Sequence, residues 1–339
     1  LRTFAAKSGM GEVVVDQVWD WGMRDFTRAA GRRLRKKDVD VLYAYEYSAL
    51  EAFQEAKKLG IARILDFPSL NSRQFELLQQ EQRARFPELR GENDAYFEKK
   101  FEERQARRDE EMALADIIIT NSSVTRASHI RAGAPPDRTF VVNLAAPPTI
   151  ASIAPRPLDG PLRVIWAGSF NIRKGAHLFL QALDALPIGE IQVDIYGPLK
   201  LPRRMMLKDM KNITFHGSVV QSTLFSAFQS ADVLVFPTLS DGFGMVVSEA
   251  MSRGLPVIST DMAGASDLVR EGENGLIIPA GDDAALTQAL MWCLDNRAPL
   301  FEMREVALAT AKNYQWHDYR KRFIDTITKG LGHVGIATS

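Results

Sequence analysis

The chain has 339 residues, a formal net charge of +0, 46% hydrophobic and 25% charged residues. That length suits two domains of moderate size, and the balanced charge gives no reason to expect nucleic acid or another polyanion as partner. The single cysteine, Cys293, rules out a disulfide within these residues and fits a reducing compartment. No apolar run reaches the ~20 residues of a membrane span. The chain opens Leu1-Arg2-Thr3, without an initiator Met or a signal-peptide pattern, so a truncated start and a cytoplasmic location are the expectations.

In chain order, Gly9-Met10-Gly11 follows no convincing strand and is given no role. Arg28, Arg32, Arg33, Arg35, Lys36 and Lys37 form a basic cluster, read as a solvated helix face; the functional alternative is weak attachment to anionic lipid headgroups at the inner membrane face. A strand is expected over 39–45, then a helix over 48–59 closed by Gly60. A second strand over 62–67 stops at Pro68. Residues 72–114 are charged and helical, broken near Pro87 and Gly91. A third strand spans 116–120. Asn121 or Ser122 caps the following helix, which runs toward Gly133, and a short strand covers 139–143. Pro147, Pro148, Pro155, Pro157 and Pro161 then mark an interdomain linker over 147–161.

The second half alternates more cleanly. Strands are expected over 163–167, 191–196, 213–216, 233–236, 256–259 and 276–278, and helices over 174–186, 221–230, 245–252, 265–271 and 282–294. This is the pattern of a doubly wound parallel sheet. The domains therefore span 1–146 and 162–314, and a last helix over 315–330, carrying Trp316, Tyr319 and Phe323, is expected to cross back onto the first domain.

Two turns could carry chemistry. Gly168-Ser169 ends a strand and leads to Arg173-Lys174 at a helix start. Ligands of open parallel sheets bind beyond the carboxyl ends of the strands, and free N–H groups at a helix start favour phosphate. Arg173 can grip phosphate oxygens bidentately and Lys174 acts as a point charge. Taken alone, such a pair reads as two solvated cations. The second turn is Asp241-Gly242-Phe243-Gly244-Met245, with Glu249 on the helix that follows. Its glycines allow close backbone approach, and Glu249 can accept from two vicinal hydroxyls. The plainer alternatives are a helix cap for Asp241 and a solvated face for Glu249.

The segment from Asp241 through Glu249-Ala250-Met251 to Gly254-Leu255-Pro256-Val257 resembles the signature of the retaining "group 1" glycosyltransferases of the GT-B fold. Gly168 to Gly175, Tyr196-Gly197-Pro198, Phe215-His216-Gly217 and Asn274-Gly275 resemble further pieces of that family in its order. The resemblance covers 162 to about 295. It implies an α/β GT-B fold of two Rossmann-like domains with the active site in their cleft. It also implies a nucleotide-sugar donor, with UDP or GDP as the carrier, and a glycan, lipid-linked or small-molecule acceptor. Neither a metal nor a bound cofactor is expected. Arg173 and Lys174 would neutralise the diphosphate, Glu249 would hold the ribose and Asp241 the transferred sugar. Gly242, Phe243, Gly244 and Met245 would offer backbone N–H groups. Gly168 and Ser169 would form the phosphate turn, Gly197 would allow close packing beside it, and Gly217 and Val219 would flank the base.

The chain departs from the family in three places. Glu is commoner where Asp241 stands. The opening strands and glycine-rich loop of the first domain are not found, so that domain is expected to be incomplete. No histidine follows the strand ending at Phe67; Asp66, with Asn71 and Arg73 nearby, is the acceptor-side candidate in its place. The rival function is a catalytically impaired donor-binding protein or assembly partner.

Overall fold

The computed structural model describes residues 11–36, 38–155, 157–187, 189–206 and 210–333. Gly9, Met10 and Lys37 lie outside the described residues.

The first domain holds four parallel strands, β1 (Val41–Tyr45), β2 (Ala62–Phe67), β3 (Ile117–Thr120) and β4 (Thr139–Val141), in the order β1-β2-β3-β4. The described strands advance in one direction, so they form one half of a doubly wound pattern rather than a whole one. Among the described residues five helices accompany them: α1 (Glu12–Leu34), α2 (Leu50–Lys58), α3 (Ser72–Arg85), α4 (Asp94–Leu114) and α5 (Ser123–Arg131). Pro87–Leu89 forms a single 3-10 turn between α3 and α4, because proline cannot donate to a continuing helix. Ser122 is the cap of α5, accepting from Thr125 N at 3.1 Å.

Helix α1 is longer than the basic cluster read in its sequence. It buries Thr27, Gly31 and Leu34, and a Cβ at Gly31 would meet the Glu51 carbonyl at 3.3 Å, so α1 lies close against α2. Arg35 donates to both Glu55 oxygens at 2.7 and 2.9 Å, and Arg28, Arg32, Arg33 and Lys36 are exposed. No helix among the described residues is long and apolar enough to cross a membrane.

The second domain carries β5 (Leu162–Ala167), β6 (Ile191–Tyr196), β7 (Ile213–Gly217), β8 (Val233–Phe236), β9 (Val257–Thr260) and β10 (Gly275–Ile278), all parallel, in the order β10-β9-β8-β5-β6-β7. Its helices are α6 (Ala176–Asp184), α7 (Gln221–Ser230), α8 (Met245–Met251), α9 (Asp283–Asp295) and α10 (Arg297–Lys312). Alternate residues of each strand face opposite layers. Val164, Trp166, Val193 and Ile195 pack with Phe179, Leu290 and Cys293 on one face. Ile165, Leu234, Phe236 and Val257 pack with Phe228, Val247 and Ala307 on the other. Strand order reverses between β5 and β8, which makes that junction the switch point where such sheets bind ligands.

Three expectations need correction. Residues 265–271 do not form an α-helix; Gly264–Leu268 is a 3-10 turn whose end turns back toward β10. The helix expected from 174 begins at Ala176, after a 3-10 turn Ile172–Lys174 and Gly175 at φ 78. Helix α10 occupies a stretch where no helix was expected, although Leu300, Met303, Ala307, Leu308 and Ala311 repeat at helical spacing and are buried.

Helix α11 (Trp316–His333) leaves the second domain where Ala146 N donates to Tyr314 O at 2.6 Å, beside the chain's first crossing. Tyr319, Phe323, Ile327 and Leu331 then pack on Ile64, Ile117, Ile119 and Val142 of the first sheet. Trp316 is not among that core; it is 46% exposed, and its ring meets the Tyr319 ring edge-on at 5.5 Å. Phe323→Ala is therefore expected to cost about 2–4 kcal/mol, read by chemical denaturation, whereas Trp316→Ala should cost less than about 1 kcal/mol. Equal effects would refute this division of labour.

Candidate functional site

The turns after β5 and β8 lie side by side at the switch point. Leu239 N donates to Arg173 O at 2.9 Å, and a Cβ at Gly175 would sit 1.9 Å from the Pro237 carbonyl. Only glycine fits there, which fixes Arg173 and Lys174 against the second turn. Asn171 reinforces the geometry by accepting from Lys174 N at 3.0 Å. Lys174 Nζ pairs with Asp241 Oδ2 and lies 4.8 Å above the Phe236 ring, while Arg173 Nη1 donates to the Ser240 carbonyl at 3.1 Å. Asp241 Oδ1 also accepts from Phe243 N at 3.3 Å, and Gly244 at φ 87 opens α8. Desolvation draws the Lys174 ammonium down to about 7, and the Arg173 guanidinium adds to the fall. The cation is thus held by an internal carboxylate at the place where a phosphate could take over.

Glu249 lies on α8, one turn beyond Met245, and is half-buried. Burial lifts its carboxyl above the usual range, partly offset by a hydrogen bond from Gln221 at the start of α7. Across the cleft floor, Gly168 at φ 123 and Gly197 at φ 131 are in contact, since a Cβ on Gly197 would lie 2.1 Å from the Gly168 carbonyl. Ser169 Oγ is buried with no hydrogen-bond partner, an uncommitted hydroxyl beside the cationic turn. Gly217 at φ 66 ends β7, and Val219 is 36% exposed. His216 is exposed at the strand end, where it bonds Asp194 at 2.6 Å and stacks on Tyr196 at 4.3 Å.

The first domain closes directly on the second turn. A Cβ on Gly242 would lie 1.8 Å from the Pro68 carbonyl, and Ser122 Oγ and Thr125 Oγ1 donate to the Gly242 carbonyl at 2.9 and 3.1 Å. Asp267 accepts from Ser123 N and Asn143 Nδ2, both at 2.7 Å. Phe75 and Phe86 pack against Leu178 and Leu239, and His177 Nε2 meets Gln82 Oε1 at 3.1 Å. The residues of this seam were not found from sequence. Their signals, a Ser-Ser-x-Thr cap and aromatics scattered through charged helices, are local and say nothing of what they meet.

Burial holds His177 at about 4, well below its ordinary value, so the folded chain keeps it neutral. Between pH 6.5 and 4 the unfolded chain binds the extra proton, and the stability from this group is lost as pH falls through that window. Wild-type protein is expected to lose about 3 kcal/mol more than His177→Asn across it, measured by denaturation at each pH. Parallel pH curves would remove His177 from the account.

Asp66 is not brought to these turns by any described contact. Its carboxylate accepts from Tyr43 Oη on the sheet face covered by α11, and burial raises it to about 6. Strand alternation is the reason: Leu65 and Phe67 point to the opposite layer, which leaves Asp66 on the α11 side. Asn71 caps α3, accepting from Arg73 N at 3.0 Å, and Arg73 pairs with Glu102 and Asp109, both at 3.2 Å.

Residues 161–296, which contain both turns, match the family model described as "Glycosyl transferases group 1". Over these residues the chain is similar to the group 1 glycosyltransferases. Over 159 residues the chain is 34% identical to a phosphatidyl-myo-inositol mannosyltransferase from Mycobacterium leprae, covering 45% of this chain and 42% of the relative. It is 29% identical to a D-inositol 3-phosphate glycosyltransferase from Arthrobacter sp., covering 46% and 40%. The chain thus matches less than half the length of these glycosyltransferases. The whole described fold is that of GT-B glycosyltransferases. A sucrose-phosphate synthase from Thermosynechococcus elongatus superposes with TM-score 0.68 at 19% identity, covering 93% of this chain and 79% of that one. HepE from Anabaena, solved with UDP, gives 0.64 at 17%, covering 91% and 82%.

Proposed function

We propose that the chain transfers a sugar from a nucleoside diphosphate to an acceptor held between its domains, with retention of configuration and without a metal ion. The observation that carries this is the juxtaposition at the switch point: two cations and an unpaired Ser169 hydroxyl on one turn, Asp241 and the N-terminus of α8 on the next. The group 1 match and the UDP and UDP-glucose complexes of the similarly folded HepE support a uracil nucleotide as carrier, with GDP as the second choice.

In this reading Arg173, Lys174 and Ser169 hold the diphosphate, and Glu249 holds the ribose hydroxyls with Gln221 beside it. Gly217 and Val219 flank the base, and Gly168 and Gly197 leave room for the phosphates. As donor binds, Lys174 exchanges Asp241 for phosphate and frees that carboxylate for a sugar hydroxyl. The C1–oxygen bond to the diphosphate breaks as the acceptor oxygen bonds C1 from the same face, and the acceptor proton passes to the departing phosphate oxygen. Arg173 and Lys174 meet the charge that grows there, so the protein supplies preorganised electrostatics and positioning. Asp66, engaged with Tyr43 under α11, is not assigned a part in this reaction.

Calorimetry with UDP, GDP and ADP tests the donor site. UDP or GDP is expected to bind, and Glu249→Ala to weaken that binding by about tenfold or more, since a hydrogen-bonded carboxylate on the ribose is worth at least about 1.4 kcal/mol. Binding of none of the three, or undiminished affinity in Glu249→Ala, would overturn the assignment.

A further inference from the structure

The chain between β2 and β3 leaves the first domain as α3 and returns as α4, and the 3-10 turn Pro87–Leu89 joins the two. The outer end of this arm rests on the second domain. Buried Gln82 meets His177 of α6 at 3.1 Å. Arg85 donates to the Gly281 carbonyl at 3.3 Å and pairs at 2.5 Å with Asp283, the first residue of α9. Arg204, in the 3-10 turn Arg203–Met205, donates to the Glu88 carbonyl. Within α3 the buried residue is Gln82, and a cavity of about 580 Å³, lined in part by Phe75, Phe97 and Phe101, opens behind the helix. The arm is thus placed by its seat on the second domain more than by packing along its length.

Phe86 ends the arm as a plug. Its ring is buried with Leu178 and Leu239, with Ile172, Phe75 and Met205 packed around them, and it meets the His177 ring edge-on at 5.2 Å. Two of these neighbours lead into the donor turns. Ile172 directly precedes Arg173, and Leu239 stands two residues before Asp241. Leu239 N also donates to Arg173 O at 2.9 Å, so the ring backs the contact that registers one turn against the other. The hold of Arg173 on the Ser240 carbonyl and of Lys174 on Asp241 depends on that register. Removing the ring leaves a hole into which its apolar neighbours relax. A shift of about 1 Å in the two cations is enough to spoil their grip on a phosphate.

We propose that the α3 arm is a strap that completes the donor site from the first domain, and that Phe86 is a positioning residue for the diphosphate. This rests on the glycosyl-transfer reading above, which puts the diphosphate on Arg173 and Lys174. The test is calorimetry on the whole chain with UDP or GDP, whichever the unsubstituted chain binds, and with the matching monophosphate read by displacement. A role in stability alone would weaken both nucleotides alike. Phe86→Ala is expected to weaken the diphosphate by about tenfold and the monophosphate by no more than about twofold. Phe86→Leu, which refills the hole, should bring the diphosphate back to within about threefold of the unsubstituted chain. Arg85→Glu sets a like charge against Asp283 at the surface and makes no hole. It should lower the ratio of diphosphate to monophosphate affinity by about threefold, and Arg85→Glu/Asp283→Arg should restore that ratio. Leu77→Ala, at an exposed position of α3, should change neither affinity. Equal losses of both nucleotides in Phe86→Ala, no recovery in Phe86→Leu, or an unchanged ratio in Arg85→Glu overturns the proposal, and the Arg85 pair decides alone where Phe86→Ala does not fold. Binding of neither diphosphate by the unsubstituted chain overturns the glycosyl-transfer reading, and the proposal with it.

Discussion

Lys174→Ala is expected to lower nucleotide-sugar turnover by about 10²–10³-fold, the usual effect of removing one preorganised group that meets developing charge. The loss has two parts. The ammonium no longer neutralises the leaving diphosphate. The half-buried Asp241, now without its cation, also puts a like charge beside the phosphates. Leaving that carboxylate unpaired should further cost about 1–3 kcal/mol of stability. The double variant Lys174→Ala/Asp241→Ala separates the parts. It should regain most of the stability and some donor affinity, because the stranded charge is gone, but not the turnover. Measured by nucleotide release, calorimetry and thermal unfolding, a single variant with near wild-type turnover would remove Lys174 from the mechanism. A double variant no more stable than the single one would show that the ion pair is not what the first loss reports.

Gly242→Ala is expected to be the most damaging single-methyl change at the domain seam. The added Cβ would lie 1.8 Å from the Pro68 carbonyl and 2.9 Å from Ser69 Cα. Both are backbone atoms, so no rotamer relieves the contact and the domains must part. Separation would also break the two hydroxyl hydrogen bonds from Ser122 and Thr125 to the Gly242 carbonyl. A stability loss of about 1–3 kcal/mol or more is expected, with a larger radius of gyration by solution scattering and loss of turnover. Gly22→Ala in α1 is the control. Its Cβ would meet nothing within 4 Å, and relief of the helix-interior penalty should stabilise the chain by up to about 1 kcal/mol. A compact, active Gly242→Ala protein would mean that the closed seam is not required.

The second domain was legible because its signals are local. Residues 191–196, 221–230 and 233–236 alternate or repeat with the period of the element they form, so their limits were read to the residue. The two turns were legible for the same reason, as glycine-bearing connections between a strand and a helix. Element type failed where local pattern and outcome part. Gly264–Leu268 has helix-compatible residues, but a Cβ at Gly264 would lie 1.8 Å from the Gly242 carbonyl, so the segment is shaped by the loop it packs on. The basic residues of α1 read as a solvated helix face, but its apolar residues follow no clean stripe and its placement depends on Gly31 meeting α2.

The sequence by itself determined the α/β class, the six-strand doubly wound domain, and the order of residues that meet at its switch point. Period, turn chemistry and motif spacing are properties of neighbours along the chain. Only the tertiary structure decided which side of β2 carries Asp66, that Lys174 is held by Asp241, that Ser122 and Thr125 clamp Gly242, and that three phenylalanines of α3 and α4 wall a cavity beside Arg173. Those relations join residues from 23 to 120 positions apart, some within one domain and some across the seam between the two, and they are set by packing and by no local preference of the chain.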